Sequence, residues 1–507
     1  MSALAFFAEL RNGGALPLRD VPELGFPMFR DQVVQGCAEG ARLACLCVDG
    51  ELNGYAVLAR DAEETLHIAR THFPGRSYDA LTPDLPAAHL FEREIAEQWG
   101  LQPKGHPWLK PVRFHRSYRP GVDAWGRDMF RDPAVAVQDF FRVEGDGIHE
   151  VAVGPVHAGV IEPGHFRFQC HGEHVHHLEI ALGYQHRGIE RALVGGPHRL
   201  SWKQLETAAG DTTLGHGWAH AQALEGLAGV QAPRRAQLLR AIGLELERLA
   251  NHTGDLGALA GDVGFLPTAS FCGRIRGDWL NLTALLCGSR LGRDLLRPGG
   301  VRFDLEPERL AEARERVEAA FCDTAQAVDL LWETASVMLR LEEVGRVRAD
   351  QARELGVVGV AARACGLPRD VRTDHPWGPY HDYAVPLGLA ESGTVHGRAW
   401  VRWREIQESL GVLHWAFGLL PHAPHELSVP VPALRPEHAA VSLVEGWRGE
   451  VLHLAVTGRD GRFVHYKVVD PSFRNWSALA LALRGEQISD FPLCNKSFNL
   501  SYCGFDL

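Results

Sequence analysis

A chain of 507 residues, 46% apolar and 23% charged, has the composition of a folded protein of two or three domains, which excludes a disordered chain, a coiled coil and a collagen-like repeat. Its formal net charge of −11 argues against nucleic acid as a partner. No uncharged apolar run reaches the roughly 18 residues of a spanning helix, and the opening MSALAFFAELRNGG has no basic region before its short apolar run, so no signal peptide is read and a cytoplasmic location is expected.

Residues 1–115 alternate short apolar strands with a helix. LACLCVDG and ELNGYAVLAR read as strands joined by a turn at Asp49-Gly50, and TLHIARTHF as a third. AAHLFEREIAEQWG fits a helix with Leu90, Phe91, Ile95 and Trp99 along one face, and GHPWLKP is a turn that closes the unit. Residues 116–147 carry no sustained period and several Pro and Gly, the pattern of a linker that packs through Trp125, Phe130 and Phe140. From 148 onward EVAVGPVHAG and HFRFQCHGEHVHHLEIALG predict a small antiparallel sheet, with a hairpin turn near Gly172-Glu173. Most of the chain beyond 186 reads as helix. Leu238, Leu239, Ile242, Leu246 and Leu249 fall on one stripe, and residues 308–343 look like a helical pair. Strands return over 440–470, with a turn at Arg459-Asp460-Gly461. The expected class is α+β: a small N-terminal α/β domain (1–115), a linker (116–147) and a mainly helical large domain (148–507) with a small antiparallel sheet.

None of the ten cysteines forms a C-x-x-C pair, so buried small side chains in a reducing compartment are the expectation. Cys170, His171, His174, His176 and His177 resemble a metal cluster but flank a predicted hairpin turn, which suits a solvent-facing strand pair. No G-x-G-x-x-G follows a strand and no G-x-x-x-x-G-K-[ST] occurs, which argues against binding of NADH, flavin or ATP by this chain.

FEREIAEQWG followed by GHPWLKP resembles the signature of the small non-cluster subunit of the peripheral arm of respiratory complex I, E-R-E-x-x-D-x-aromatic-G and then G-H-P-D-L-R-R. Glu92, Arg93, Glu94, Trp99, Gly100, Gly105, His106 and Pro107 match, while Glu97 and Trp108 replace the two aspartates. GPVHAGVIEPGHFRF, LEIALGYQHRGIE and ELERLANHTGDLGALAGDVG resemble the superfamily of the complex I quinone-site subunit and the large subunit of [NiFe] hydrogenases, the first stretch being most similar to energy-converting hydrogenases such as formate hydrogenlyase. The resemblance implies a hydrogenase large-subunit-like fold fused to the small subunit. It also implies a partner iron–sulfur small subunit carrying a [4Fe–4S] cluster, antiporter-like membrane subunits, and a peripheral place on the inner face of the cell membrane.

The same resemblance assigns site positions. A [NiFe] centre takes four thiolates, and the matching positions here are Ala209, Thr212, Ser501 and Gly504, with Cys503 one residue out of register and His216 as the trailing histidine. No metal ligand and no cofactor of this chain's own is therefore expected. The quinone reading assigns a headgroup histidine, for which His165 is the better match and His157 the other, and an orienting aspartate, Asp262. The quinone tyrosine aligns with Gly210, beside Asp211. Arg187 and Glu190 occupy a proton-path or structural pair, with a helix-surface ion pair as the plainer reading. Glu245 and His252 lie seven apart on one helix, with core packing expected for His252. Electron transfer from a partner cluster to a quinone-like or other small acceptor is the leading functional expectation. A non-redox coupling or scaffold subunit is the rival, and a nickel hydrogenase the remote alternative.

Overall fold

The computed structural model describes residues 2–73, 75–128, 130–155 and 162–507. Near the N-terminus four antiparallel strands run in the spatial order Ala8–Leu10, Thr65–His72, Asn53–Arg60, Arg42–Val48. LACLCV is buried along its length, as a continuous apolar run demands. The expected turn after it is closed by Asp49, whose Oδ1 accepts from the Glu51 and Asn53 N–H groups, each at 2.9 Å. A helix at Phe26–Ala38, absent from the sequence reading, packs on this sheet; only Phe29, Val33 and Gly36 are fully buried, a stripe too thin to stand out.

In the helix His89–Trp99 the carboxylates of the alternating charges, a pattern usual for a solvated face, are buried instead. Glu92, Glu94 and Glu97 are 0%, 1% and 0% exposed. Glu92 accepts from the Leu81 and Thr82 N–H groups, and Glu97 from those of Val112, Arg113 and Phe114. Glu92 and Glu97 thus satisfy backbone donors that would otherwise be buried without partners, and Glu94 pairs with Arg113 and Lys467.

The strands Ile148–Val153, His165–His171 and His174–Ala181 form the expected antiparallel sheet, turning at Gly172 (φ 55°). The long helix Arg234–Asp262 packs against Leu266–Cys287 and Val395–Leu419. Its apolar stripe is buried as expected, and so are Glu245, Arg248 and His252, because arginines and carboxylates of neighbouring segments pair with them. Three further strands, His438–Gly446, Gly449–Thr457 and Phe463–Val469, form a sheet whose fourth strand is Ala15–Pro17. Residues 1–115 therefore share a sheet and one continuous apolar core with the C-terminal part. Residues 116–147 contain no strand or helix among those described; Phe140 packs on a small cluster of Phe114, Ala136 and Ala181, whereas Phe130 is exposed.

Candidate functional site

The segments that carry the four degenerate positions lie side by side. Ala209–Thr212 precedes the helix Thr213–Ala228, and Ser501–Gly504 opens the C-terminal turn of helix. Arg448, at the tip of the hairpin between the first two C-terminal strands, bridges them. Its Nη2 donates to Asp211 Oδ2 (2.8 Å), its Nη1 to Thr212 Oγ1 (3.3 Å) and its Nε to the Asn499 carbonyl. Ser501 Oγ accepts from the Gly504 N–H (2.9 Å), and a Cβ on Gly504 would lie 2.7 Å from the Asp470 carboxyl carbon. The side chains here do not fit nickel. A soft metal site needs thiolates, and the one thiol present, Cys503, is pushed up to about 11 by burial and is protonated at neutral pH. Among the described residues no group of three or more His, Cys, Asp or Glu side chains could hold a metal ion. The histidines of the Cys170 hairpin are spread along its strands, with the His171 and His176 ring centroids 6.3 Å apart.

Beside the degenerate positions is a cavity of about 380 Å³ lined by Tyr184, His186, Arg187, Gly210 and Cys503. A Cβ built on Gly210 meets nothing within 4 Å among the described residues, so they leave the position of the family's tyrosine unfilled. The Arg187 guanidinium is fixed by carbonyls, Nη1 to Thr207 (2.7 Å) and Nη2 to Ala208 (2.8 Å), and has no carboxylate partner among the described residues. His186 Nδ1 lies 2.7 Å from the Asp506 carbonyl, which can only accept, so Nδ1 carries the proton and Nε2 presents its lone pair. Burial, with Arg113 and His115 nearby, lowers His186 to about 4, so the ring is neutral at physiological pH.

His165 is buried at the start of its strand. Its Nδ1 is 2.9 Å from the Gly154 carbonyl and its Nε2 accepts from Arg167 Nε (3.2 Å). Asp262 sits in the exposed last turn of the long helix, and no hydrogen bond joins it to His165. The expected orienting contact is thus not formed, because a backbone carbonyl and an arginine already take both ring nitrogens. The carboxylate of this helix that does reach the C-terminal segment is Asp255, two turns earlier, accepting from Asn499 Nδ2 (2.6 Å) and Arg402 Nε (2.8 Å). His157 lies outside the described residues. Arg187 and Glu190 do not pair either: Glu190 accepts from Lys467 Nζ (2.8 Å) and the Val468 N–H (2.9 Å). His252 bonds Glu405 at 2.9 Å within the buried ionic network.

The trailing His216 is held by Asp470 (3.0 Å) and His453 (3.1 Å), all buried, two partners that the sequence did not point to. Glu162, in the GPVHAGVIEPGHFRF loop, accepts from the Tyr502 N–H at 2.9 Å. His186 was legible in the quoted LGYQHRGIE stretch but carried no assigned role.

The family model for the respiratory-chain NADH dehydrogenase 49 kDa subunit matches residues 262–435. The chain is 29% identical over 448 residues to formate hydrogenlyase subunit 5 of Escherichia coli K12, covering 84% of this chain and 76% of that protein. It is 30% identical over 366 residues to an NADH-quinone oxidoreductase subunit of a Roseiflexus species, covering 69% and 96%. It is 27% identical over 365 residues to the membrane-bound hydrogenase alpha subunit of Pyrococcus furiosus, covering 69% and 85%.

Proposed function

The chain belongs to the family of the 49 kDa subunit of respiratory-chain NADH dehydrogenase and is a complex I-like or hydrogenase-related subunit; from that premise we propose that it carries electrons from a partner's cluster to a quinone-like acceptor. No helix among the described residues is long and apolar enough to cross a membrane. In this reading the chain docks on an iron–sulfur small subunit holding a [4Fe–4S] cluster, and through it on antiporter-like membrane subunits, at the inner face of the cell membrane. Residues 1–115 take the part of the small non-cluster subunit.

The observation that carries the reading is the cavity beside Gly210. A quinone carbonyl needs a donor that strengthens its interaction as negative charge develops on the oxygen. Arg187 is such a donor, a fixed cation with no carboxylate to neutralise it among the described residues. The His186 Nε2 lone pair would orient a hydroxyl of the reduced product. His165 pairs across the sheet with Ala181, three residues before Tyr184 of the cavity wall. It supports the wall, and its ring is committed to other partners.

The test is quinone reduction by the purified assembly, using a short-chain ubiquinone analogue, with Arg187→Met and His186→Phe. Loss of a charge-assisted hydrogen bond, worth about 1.5–3 kcal/mol, should lower kcat/KM by roughly 10- to 100-fold in Arg187→Met while the assembly persists. Unchanged turnover in both variants would overturn the reading and leave the coupling or scaffold role.

A further inference from the structure

A second and larger cavity, about 580 Å³, shares no lining residue with the one beside Gly210 and lies between the helix His89–Trp99, the strand His174–Ala181, the helix Pro471–Ala482 and the segments 108–112 and 138–143. Its walls are apolar and aromatic, with Trp108, Phe141 and Trp476 prominent, and its size is that of a site for a small organic ligand. Three polar atoms on this wall are buried with no hydrogen-bond partner among the described residues: His177 Nε2, Gln138 Oε1 and Trp476 Nε1.

The charges on the wall do not balance. Glu179, the one carboxylate among the described lining residues, is saturated by Lys110 Nζ (2.6 Å), Gln138 Nε2 (2.9 Å) and the Phe141 N–H (2.8 Å). Arg93 donates only to the carbonyls of Lys110 and Pro111, each at 2.8 Å, and neither it nor Arg484 has an ion-pair partner among the described residues. Two arginines therefore line one largely apolar space without an ion-pair partner among the described residues, Arg93 at its buried side and Arg484 at its exposed edge. Burial lowers Arg93 to about 10 although Glu179 and Glu97 act against it, so the cation is under-paired for so buried a site.

We propose that this cavity binds a small amphipathic carboxylate, its apolar or aromatic body against Trp108, Phe141 and Trp476 and its anionic end on Arg93, with Arg484 at the same wall adding positive potential. An apolar body accounts for the lining, and the anion supplies the missing partner; a neutral ligand of the same shape would leave both arginines unpaired. The site stands independently of the acceptor cavity and of the quinone reading.

Calorimetric titration of the full chain with 2-naphthoate and with decanoate tests it, using 2-naphthylmethanol and decanol as the neutral counterparts. At least one acid should bind saturably, one per chain, and its alcohol at least tenfold more weakly. Arg484→Gln, at an exposed position, should weaken the acid by at least threefold and leave the alcohol unchanged. Arg93→Gln should cost tenfold or more. Because Arg93 also holds two carbonyls, Leu481→Trp, which fills the cavity from a lining position, serves as the second variant and should abolish binding. Failure of both acids to bind, equal affinity for acid and alcohol, or indifference to Arg484→Gln and Leu481→Trp would each overturn the proposal.

Discussion

Replacing Lys467 by methionine removes the ammonium that ties the N-terminal helix to the C-terminal sheet. Its Nζ lies 2.7 Å from the Glu94 carboxylate and 2.8 Å from Glu190 Oε1, while Arg113 pairs with Glu94 from the other side. Two carboxylates and two cations balance in a site where Lys467, Glu94 and Arg113 are at most 2% exposed at the side chain. Methionine conserves most of the volume, so the loss is of charge rather than packing. One carboxylate is then left without its counter-ion, and breaking a buried pair in this way costs about 3–5 kcal/mol. Glu94→Gln in the same chain should recover more than half of that, since neutrality returns. Urea unfolding followed by tryptophan fluorescence should show a lower midpoint with an unchanged slope. Burial alone would raise the Glu190 carboxyl, but Lys467 and Arg113 outweigh it and hold the carboxyl below the ordinary range. That stabilisation is complete above pH about 4.5 and is lost as pH falls towards the depressed native value; the methionine variant should lose much of this acid dependence. A loss under about 1 kcal/mol for the single variant, or a double variant no better than the single, would refute the reasoning.

Four further outcomes are expected. Gly210→Tyr should fold normally, since its Cβ meets nothing within 4 Å among the described residues, and should raise turnover with a quinone analogue if the cavity admits a headgroup; unchanged turnover with intact folding would argue against that site. Asp262→Asn should alter quinone turnover by less than about twofold, because an exposed carboxylate that does not touch His165 cannot tune its acidity, whereas a tenfold fall would restore the orienting role. The purified assembly should hold no chelator-resistant nickel, checked by elemental analysis; one nickel per chain would contradict the account of Ala209, Thr212, Ser501 and Gly504. Burial pushes Glu247 up to about 8, although it accepts from the Leu214 and Gly215 N–H groups. The native state therefore keeps a proton that the unfolded chain releases, and stability should decline as pH rises from about 4.5 through about 8. Glu247→Gln should flatten that part of the profile in pH-dependent urea melts; an unchanged slope would count against the burial argument.

Much of the architecture was already present in local pattern. The runs around Cys45, Val57 and Ile68 alternate or cluster as strands do, and Leu238 to Leu249 mark a buried helix face, because backbone period and side-chain polarity are properties of short segments. The order FEREIAEQWG, GHPWLKP, LEIALGYQHRGIE and ELERLANHTGDLG likewise sufficed to place the chain in its superfamily, and the absence of thiolates at 209, 212, 501 and 504 was legible residue by residue. What the tertiary structure decided was which partners each polar side chain finds. The alternating charges of Glu92, Glu94 and Glu97 suit a solvated face until the backbone at Leu81 and Thr82, the strap over 112–114 and Lys467 close on them. Asp262 and His165 look like a pair until Gly154 and Arg167 take both ring nitrogens, and His186 acquires a defined tautomer only through a carbonyl 320 residues away. Apolar pattern is set by neighbours in sequence, whereas hydrogen-bond and ion-pair satisfaction is set by neighbours in space. The polar site was therefore the part that only the folded chain could settle.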